Sequence, residues 1–499
     1  MIKILSATQS KQLDQKTIDE QRIASIDLME RACKAFVDWL MRSYRIGGRV
    51  GIVCGTGNNG GDGLGIARLL AENAFKVSVW IVKGEVKDTE DFKINLKNVS
   101  GKVPIVEISN LGAGELFHGC DILIDAIFGS GLSRPTQGIY AQVIQHFNRA
   151  KATKISVDIP SGLMVDQPSL GEIVKAHRTL SFQTPKLAFF FPENYQYVGE
   201  WSLLDIGLSK QQMEQSDSKN LLVTQQDVKN SLRLRKRFSH KGHFGHALLI
   251  AGSLGKMGAC ILAARAALRS GLGLLTLHVP NGDRHIVQGA VPEAMTSIDP
   301  NENYFSSIPN SLTFQAIGVG PGIGKDTATV KALEQLLEAF AKPMVLDADA
   351  LNILADNPSL EQLIPIDSIL TPHPKEFERL VGNWSNDFER LEKQRQLSAK
   401  INSVVILKGA FTSIAVPDGR VYFNPTGNPG MATGGTGDVL TGLLTSLLAQ
   451  GYAPLQAAIL GVYLHGLAGD LAARDLTMYA MNASDLVSYL PHAFKSIEK

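Results

Sequence analysis

Cysteine is scarce in this chain: Cys33, Cys54, Cys120 and Cys260 are the only four among 499 residues. No two stand as C-x-x-C and no histidine cluster adjoins them, which argues against a zinc site or a disulfide framework. Buried free thiols in a reducing cytosol are the reading that remains. An excess of one charge is also lacking, since 49 Lys and Arg face 48 Asp and Glu. A net charge of +1 leaves no electrostatic footprint for nucleic acid or an anionic membrane. Any anion site must therefore be local, built from backbone dipoles and a few side chains. No run of 18 apolar residues occurs, so no membrane span is expected. Residues 1–40 lack a signal-peptide pattern, because charge recurs at Lys3, Lys11, Asp14, Lys16, Asp19 and Glu20. A bacterial cytoplasmic setting is expected. G-x-x-x-x-G-K-[ST] is missing too, which excludes a P-loop kinase, and there is no short internal repeat.

What is present suits two globular domains. The chain is too long for one ordinary core, and its 44% hydrophobic content can fill two. The polar stretch 209–220 (SKQQMEQSDSKN) reads as a linker between domains spanning 1–208 and 221–499. In the first, apolar runs at 49–54, 77–82, 122–127, 154–158 and 179–182 read as strands, and 20–40 and 64–73 as helices. In the second, strands are expected at 247–250, 274–279, 316–319, 344–347, 368–370, 403–407 and 412–416. Helices are expected there at 258–270, 327–341, 374–381 and 438–449. Continuous apolar runs alternating with helices predict α/β architecture, each domain a mainly parallel sheet with helices on both faces. A basic run, 233–237, reads as a solvated entry to the second domain.

Two glycine-rich segments carry the chemistry. The first, Gly55-Thr56-Gly57-Asn58-Asn59-Gly60-Gly61-Asp62-Gly63, follows a strand and opens a helix, where free N–H groups favour a phosphate. It contains G-x-G-x-x-G, but the next strand ends at Val82-Lys83-Gly84 without an acid for the ribose hydroxyls. An ordinary nicotinamide dehydrogenase thus loses ground. Asp125 and Asp158 end two further strands, with the loop Gly129-Ser130-Gly131-Leu132 and with Ser161 close behind. These carboxylates with Asn59 and Ser161 offer hard oxygen ligands to a cation. Asp158 is placed to exchange a proton with a bound substrate.

The second segment is Asn428-Pro429-Gly430-Met431-Ala432-Thr433-Gly434-Gly435-Thr436-Gly437-Asp438. The N–H groups of Gly435 to Asp438 would form an anion hole for a transferring phosphoryl group. Asp438, at a helix start, could accept a substrate hydroxyl proton. Lys408 could partner phosphate charge, and His373 could serve the site or simply brace its loop. Asp347 and Asp349 read as supports, with magnesium chelation the alternative.

These segments resemble a known family. GTGNNGGDG, DAIFGSGLSRP and SVDIPSG are similar to the epimerase domain of bifunctional NAD(P)H-hydrate repair enzymes, a Rossmann-like fold. The segments SHKGHFG, AGSLGKMGA, GPGIG, LDADAL, TPHPKEFERL and NPGMATGGTGDVLTG resemble their ribokinase-like, ADP- or ATP-dependent NAD(P)H-hydrate dehydratase domain. The resemblance implies that Asn58, Asn59, Gly60, Gly61 and Asp62 hold the phosphate end of hydrated NADH or NADPH. Gly129, Ser130, Gly131, Leu132, Ser133, Arg134, Pro135, Tyr140 and Asp158 would line the rest, with potassium among Asn59, Asp125 and Ser161. It further implies that Ala259, Gly322, His373 and Asp438 contact the hydrated cofactor in the second domain. Lys408, Gly409, Ala410, Phe411, Thr412 and Gly437 would bind the nucleotide, with magnesium, and the chain would form a homo-oligomer. One departure is Lys256-Met257, where the family has a tyrosine. Two alternatives stand beside this reading: a vitamin or sugar kinase with a nucleotide-sensing N-terminal domain, and an N-terminal domain that only binds or scaffolds.

Overall fold

The structure is a computed structural model, and it describes residues 1–84, 87–110 and 116–498. The chain divides into two compact units, built mainly from residues 3–220 and from residues 221–385 with 389–499.

The first unit is organised by a seven-stranded sheet. Its strands are β1 (Arg49–Cys54), β2 (Lys76–Val82), β3 (Ile105–Ile108), β4 (Ile122–Ala126), β5 (Thr153–Val157), β6 (Arg178–Phe182) and β7 (Glu200–Leu204). They lie in the order β3-β2-β1-β4-β5-β6-β7, every pair parallel. Alternation along β1 and β4 sorts side chains to two cores. Val50, Ile52, Cys54, Ile122 and Ile124 meet Phe36, Leu40 and Leu64 on one face, while Val53 and Leu123 meet Val143, Ile144 and Phe147 on the other. The first face carries α2 (Ser25–Ser43), α3 (Asn58–Glu72) and α4 (Glu90–Val99); the second carries α5 (Gly138–Arg149). A preceding helix, α1 (Ala7–Gln21), is fixed at its start by a capping box between Ser6 and Gln9. Strand order reverses between β1 and β4, and ligands in open parallel sheets bind at the carboxyl ends beside such a switch.

The second unit has the same logic with a longer sheet. Its parallel strands are β8 (His246–Ile250), β9 (Leu274–Pro280), β10 (Met295–Asp299), β11 (Ala316–Val319), β12 (Met344–Leu346), β13 (Ile369–Leu370) and β14 (Val404–Leu407). The order β10-β9-β8-β11-β12-β13-β14 is continued by antiparallel β15 (Ser413–Ala415) and β16 (Val421–Phe423). Ala247 and Leu249 pack toward α6 (Met257–Arg269), α11 (Thr436–Ala449), α12 (Pro454–Leu476) and α13 (Ala483–Ile497). Leu248 and Ile250 pack toward α7 (Thr327–Ala339), α8 (Asp349–Asp356), α9 (Pro374–Val381) and α10 (Asp387–Lys400).

The predicted architecture is thus observed, with local differences. Residues 20–40 are not one helix: Arg22, at φ 54°, ends α1 before α2 begins. Helix α3 starts six residues before the expected 64, so the glycine-rich segment is itself its first turns. Close packing explains these helical glycines, since a Cβ on Gly63 would sit 2.7 Å from both Ala126 Cβ and Cys54 Sγ. The stretch read as a linker is helical over Lys210–Gln215, capped by the Ser209 hydroxyl. Helix α12 is long and apolar enough, by length and composition, to cross a membrane, and 67% of its apolar window is buried within the fold. It packs as the core helix of its unit.

Candidate active sites

In the first unit a cavity of about 950 Å3 opens over the carboxyl ends of the sheet. Gly57 caps α3, and Gly61 N–H is the first to find an intrahelical carbonyl, that of Gly57. The N–H groups of Asn58, Asn59 and Gly60 therefore remain for a ligand. The turn is tight enough that a Cβ on Gly60 would lie 1.9 Å from the Gly55 carbonyl oxygen. Asn58, Asn59 and Asp62 line the cavity, as do residues 129–135, Tyr140 and Asp158. Gly60 and Gly61 do not line it; they give the turn its close approach instead.

Asp158 follows β5 with φ 64°, in the left-handed region that short polar residues tolerate best among non-glycines. Its N–H donates to the Leu180 carbonyl at 2.8 Å. Oδ1 accepts from Ser181 Oγ at 3.2 Å and Phe182 N at 3.1 Å, and pairs with Lys186 Nζ at 3.0 Å. All these contacts fall on one oxygen, and Oδ2 has no partner among the described residues. A buried ion pair of this kind fixes the orientation of the carboxylate.

Asp125 and Ser161 lie outside the cavity wall and are fully buried. The Asp125 carboxylate accepts from Ser156 Oγ at 2.8 Å, Ser161 N at 2.8 Å and Ser161 Oγ at 2.5 Å. Burial raises its pKa, and those hydrogen bonds pull the other way. No cation pairs with it among the described residues. Asn59, only 7% exposed, keeps its Nδ2 without a partner. Asp125 and Ser161, bonded to each other, and the buried Asn59 amide at the start of α3 are oxygen donors of the kind that fits a monovalent cation.

The second unit gathers its polar groups at the ends of β11, β12 and β14. Lys408 follows β14, and its Nζ lies 3.0 Å from Asp347 Oδ1 and 3.9 Å from Glu376 Oε2. Thr441 Oγ1 donates to Asp347 Oδ2 at 2.6 Å, tying α11 to the end of β12. Gly435 caps α11 at φ 92°, so Thr436, Gly437 and Asp438 form its first turn, two residues earlier than expected. Burial, and then repulsion by Asp347, push the Asp438 carboxyl up to about 6, while Lys408 draws it down. A carboxylate poised there suits a general base near neutrality.

Ala259 and Gly322 meet: a Cβ on Gly322 would lie 3.4 Å from that of Ala259. The Gly322 carbonyl accepts from Ser253 Oγ at 2.7 Å, and Gly324 N–H donates to Asp349 Oδ2 at 2.9 Å. Lys256, where the family pattern differs, reaches the same carboxylate at 3.8 Å. His373 caps α9, its Nδ1 accepting from Lys375 N at 3.1 Å and Glu376 N at 3.3 Å. That leaves the proton on Nε2. In the loop of residues 408–412, Gly409 N–H donates to Thr412 Oγ1 at 3.3 Å. Asp347 and Asp349 are thus already engaged, and no group of three or more metal-ligating side chains occurs among the described residues. The described residues form no ready cage for magnesium. An ion there would bring most of its oxygen ligands with nucleotide phosphates.

Sequence reasoning missed three participants. Lys186 pairs with Asp158 from a loop after β6. Half-buried His465 on α12 donates from Nε2 to the Thr436 carbonyl at 2.9 Å, and desolvation lowers its pKa to about 4. Helix α1 lines the first cavity with Ser10 and Asp14. Only the Ser6–Gln9 capping box marks α1 in the sequence.

Comparison with known proteins adds identity to this geometry. Residues 247–492 match a family model described as NAD(P)H-hydrate dehydratase, and residues 25–188 match one described as YjeF-related protein N-terminus. The chain is 37% identical to the bifunctional NAD(P)H-hydrate repair enzyme of Moorella thermoacetica, over 99% of this chain and 97% of that one. It is 36% identical to the enzyme of the same name from Coxiella burnetii, over 94% and 95%. Among solved structures, it is similar to the ADP/ATP-dependent NAD(P)H-hydrate dehydratase of Bacillus subtilis, co-crystallised with ATP and Mg2+. That match has a TM-score of 0.50 and 34% identity, over 56% of this chain and 99% of the other.

Proposed function

The chain belongs to the bifunctional NAD(P)H-hydrate repair enzymes, with an epimerase and an ADP/ATP-dependent dehydratase domain, and from that premise we propose how its two sites divide the work. Hydration of the nicotinamide ring creates a stereocentre at C6. The first unit interconverts the R and S hydrates, and the second consumes the S form. The observation that carries the reading is Asp438, poised near neutrality in the first turn of α11 beside the Lys408–Asp347 pair.

In the second unit, Asp438 takes the C6 hydroxyl proton as the terminal phosphoryl group of ADP or ATP transfers to that oxygen. The free N–H groups of the first turn of α11 receive the phosphoryl charge. Residues 408–412 and Gly437 bind the nucleotide, and Ala259, Gly322 and His373 border the hydrated cofactor. Magnesium, carried by the nucleotide, supplies charge neutralisation. Phosphate leaves C6 more readily than hydroxide, and loss of the C5 proton restores the dihydropyridine.

In the first unit, the turn at Asn58 to Asp62 receives the substrate's phosphate end. Residues 129–135 and Tyr140 hold the rest of it against Asp158, which exchanges the C6 hydroxyl proton. Asn59, Asp125 and Ser161 would hold a potassium ion, which would supply the countercharge that buried Asp125 lacks. We place the enzyme in the cytosol, as a homo-oligomer without nucleic-acid or membrane partners.

The test is direct. Each purified epimer of hydrated NADH is incubated with the protein and ADP or ATP, and recovery of dihydronicotinamide absorbance is followed. Recovery of both epimers is expected, and the faster nucleotide names the donor. No recovery with either nucleotide would reject the reading in favour of a different kinase substrate.

A further inference from the structure

The first cavity holds polar groups that the mechanism above does not use. Helix α1 lines it with residues that include Ser10, Lys11, Asp14 and Ile18, at spacings of three and four. Two groups on that face are unengaged. Ser10 Oγ is buried without a hydrogen-bond partner. The Asp14 carboxyl, one turn further on, makes no hydrogen bond or ion pair among the described residues. The helix is held in place independently of them. Leu13 is 2% exposed, and Thr17 Oγ1 accepts from Ser209 N at 3.1 Å while donating to the Leu13 carbonyl. This helix precedes residue 25, where the match to the N-terminal family model begins.

We propose that Asp14 is the second catalytic residue of the epimerase, the proton donor that works opposite Asp158, with Ser10 binding the C6 oxygen. The inference rests on the functional reading above and deepens it. Lys186 Nζ sits 3.0 Å from Asp158 Oδ1, and beside that cation Asp158 takes the part of the base. Asp14 has no such cation in contact, and it faces negative charge. The other charged groups lining the cavity are Asp158, Lys186, Asp62 on α3, Asp91 on α4, Arg134 in the loop after β4 and Lys11 on its own helix. Burial, and then repulsion by Asp158, push its carboxyl up to about 6, with Lys186 opposing. Asp62 is raised by burial as well, and Asp158 and Asp14 add to that.

The step balances without any further reactant. Asp158 takes the proton of the C6 hydroxyl, the C6–O bond becomes a carbonyl, and the C6–N1 bond breaks. Its electron pair goes to N1, which takes the proton of Asp14. Rotation about C5–C6 presents the other carbonyl face. Asp14 then recovers its proton from N1 as N1 attacks C6, and Asp158 returns a proton to the oxygen. Two groups of opposite protonation state are what such a ring opening and closure requires.

The experiment uses the full chain, wild type and Asp14→Asn, with each hydrate epimer and the phosphoryl donor in excess. Recovery of the S form reports the second unit alone, and recovery of the R form requires both. Asp14→Asn is expected to leave the S rate unchanged. Its R rate, above the spontaneous background, is expected to fall about 10²-fold or more in kcat. KM should stay within about threefold, which separates proton transfer from binding. Ser10→Ala should lose less. An unchanged R rate, or a loss confined to KM, overturns the role of Asp14. If wild type itself fails on the R form, the functional reading is what falls. A thermal melt checks the variant's fold. Should Asp14→Asn melt early, the wild-type pH profile decides instead. Asp14 must be protonated to act, so R-form kcat/KM should decline as pH rises through about 6, and a flat profile overturns the proposal.

Discussion

The two units solve one problem in opposite ways. Each sets an aspartate at the carboxyl end of a parallel sheet, and the proposed mechanism gives both the task of taking a hydroxyl proton. Asp158 is locked by a buried lysine 3.0 Å away, with every contact on one oxygen. Asp438 has no cation in contact among the described residues, and Lys408 pairs with Asp347 instead. Its proton affinity is set by burial and by the Asp347 charge, with Lys408 acting from a distance. An ion pair fixes both charge and orientation, whereas repulsion fixes only how readily the proton comes and goes. The first arrangement suits a group working with a partner acid, the second a base that must release its proton before the next turnover.

The sharpest way to break the comparison is Asp438→Asn. It should lower dehydration of the S form by about 10²–10⁴-fold in kcat, with R-to-S conversion, followed by chromatography, left intact. Loss of both activities would mean that the sites are not separable. Next in size, Lys408→Met removes the charge that lowers the Asp438 pKa. The rising limb of S-form kcat against pH should move upward by about one unit, and KM for the nucleotide should increase about tenfold. A KM effect without the pH shift would assign Lys408 to the nucleotide alone. In wild type the sign is fixed by the chemistry: a base must be unprotonated, so S-form kcat/KM should climb as pH rises and level off above about 6. That is the opposite slope to the R form, and parallel slopes would erase the distinction drawn here. The smallest effect is on stability. Gly60→Ala would drive a methyl into the Gly55 carbonyl and should cost about 1–3 kcal/mol, read as a lower melting temperature of the first unit.

Central strands were legible because a parallel strand buried on both faces reads as an apolar run, as 49–54 and 122–127 do. The edge strands β3, β7 and β10 were not, because half-exposed residues such as Val106 and Met295 interrupt any run. Helix α1 escaped because only Leu13 and Thr17 of its residues are buried. Helix α12 escaped for the converse reason: burial nearly all round leaves no periodicity to detect. In the sites, Asp125, Asp158 and Asp438 announced themselves at strand and helix ends. Lys186, His465 and Asp14 did not, since each reaches its site from a segment with no motif of its own. Only folding brings them there.

The backbone at Asp158 also constrains how this protein can change. At φ 64° a β-branched or bulky side chain is strained, and asparagine is the nearest substitute that keeps both the twist and a hydrogen bond for Lys186. Drift away from catalysis therefore has a preferred exit. A lineage passing through it would keep a folded shell with the N–H groups of the Asn58 turn intact, and would hold its ligand without turning it over. With Asp158 as the proposed base, a receptor for a damaged nucleotide is one codon away from the enzyme that repairs it.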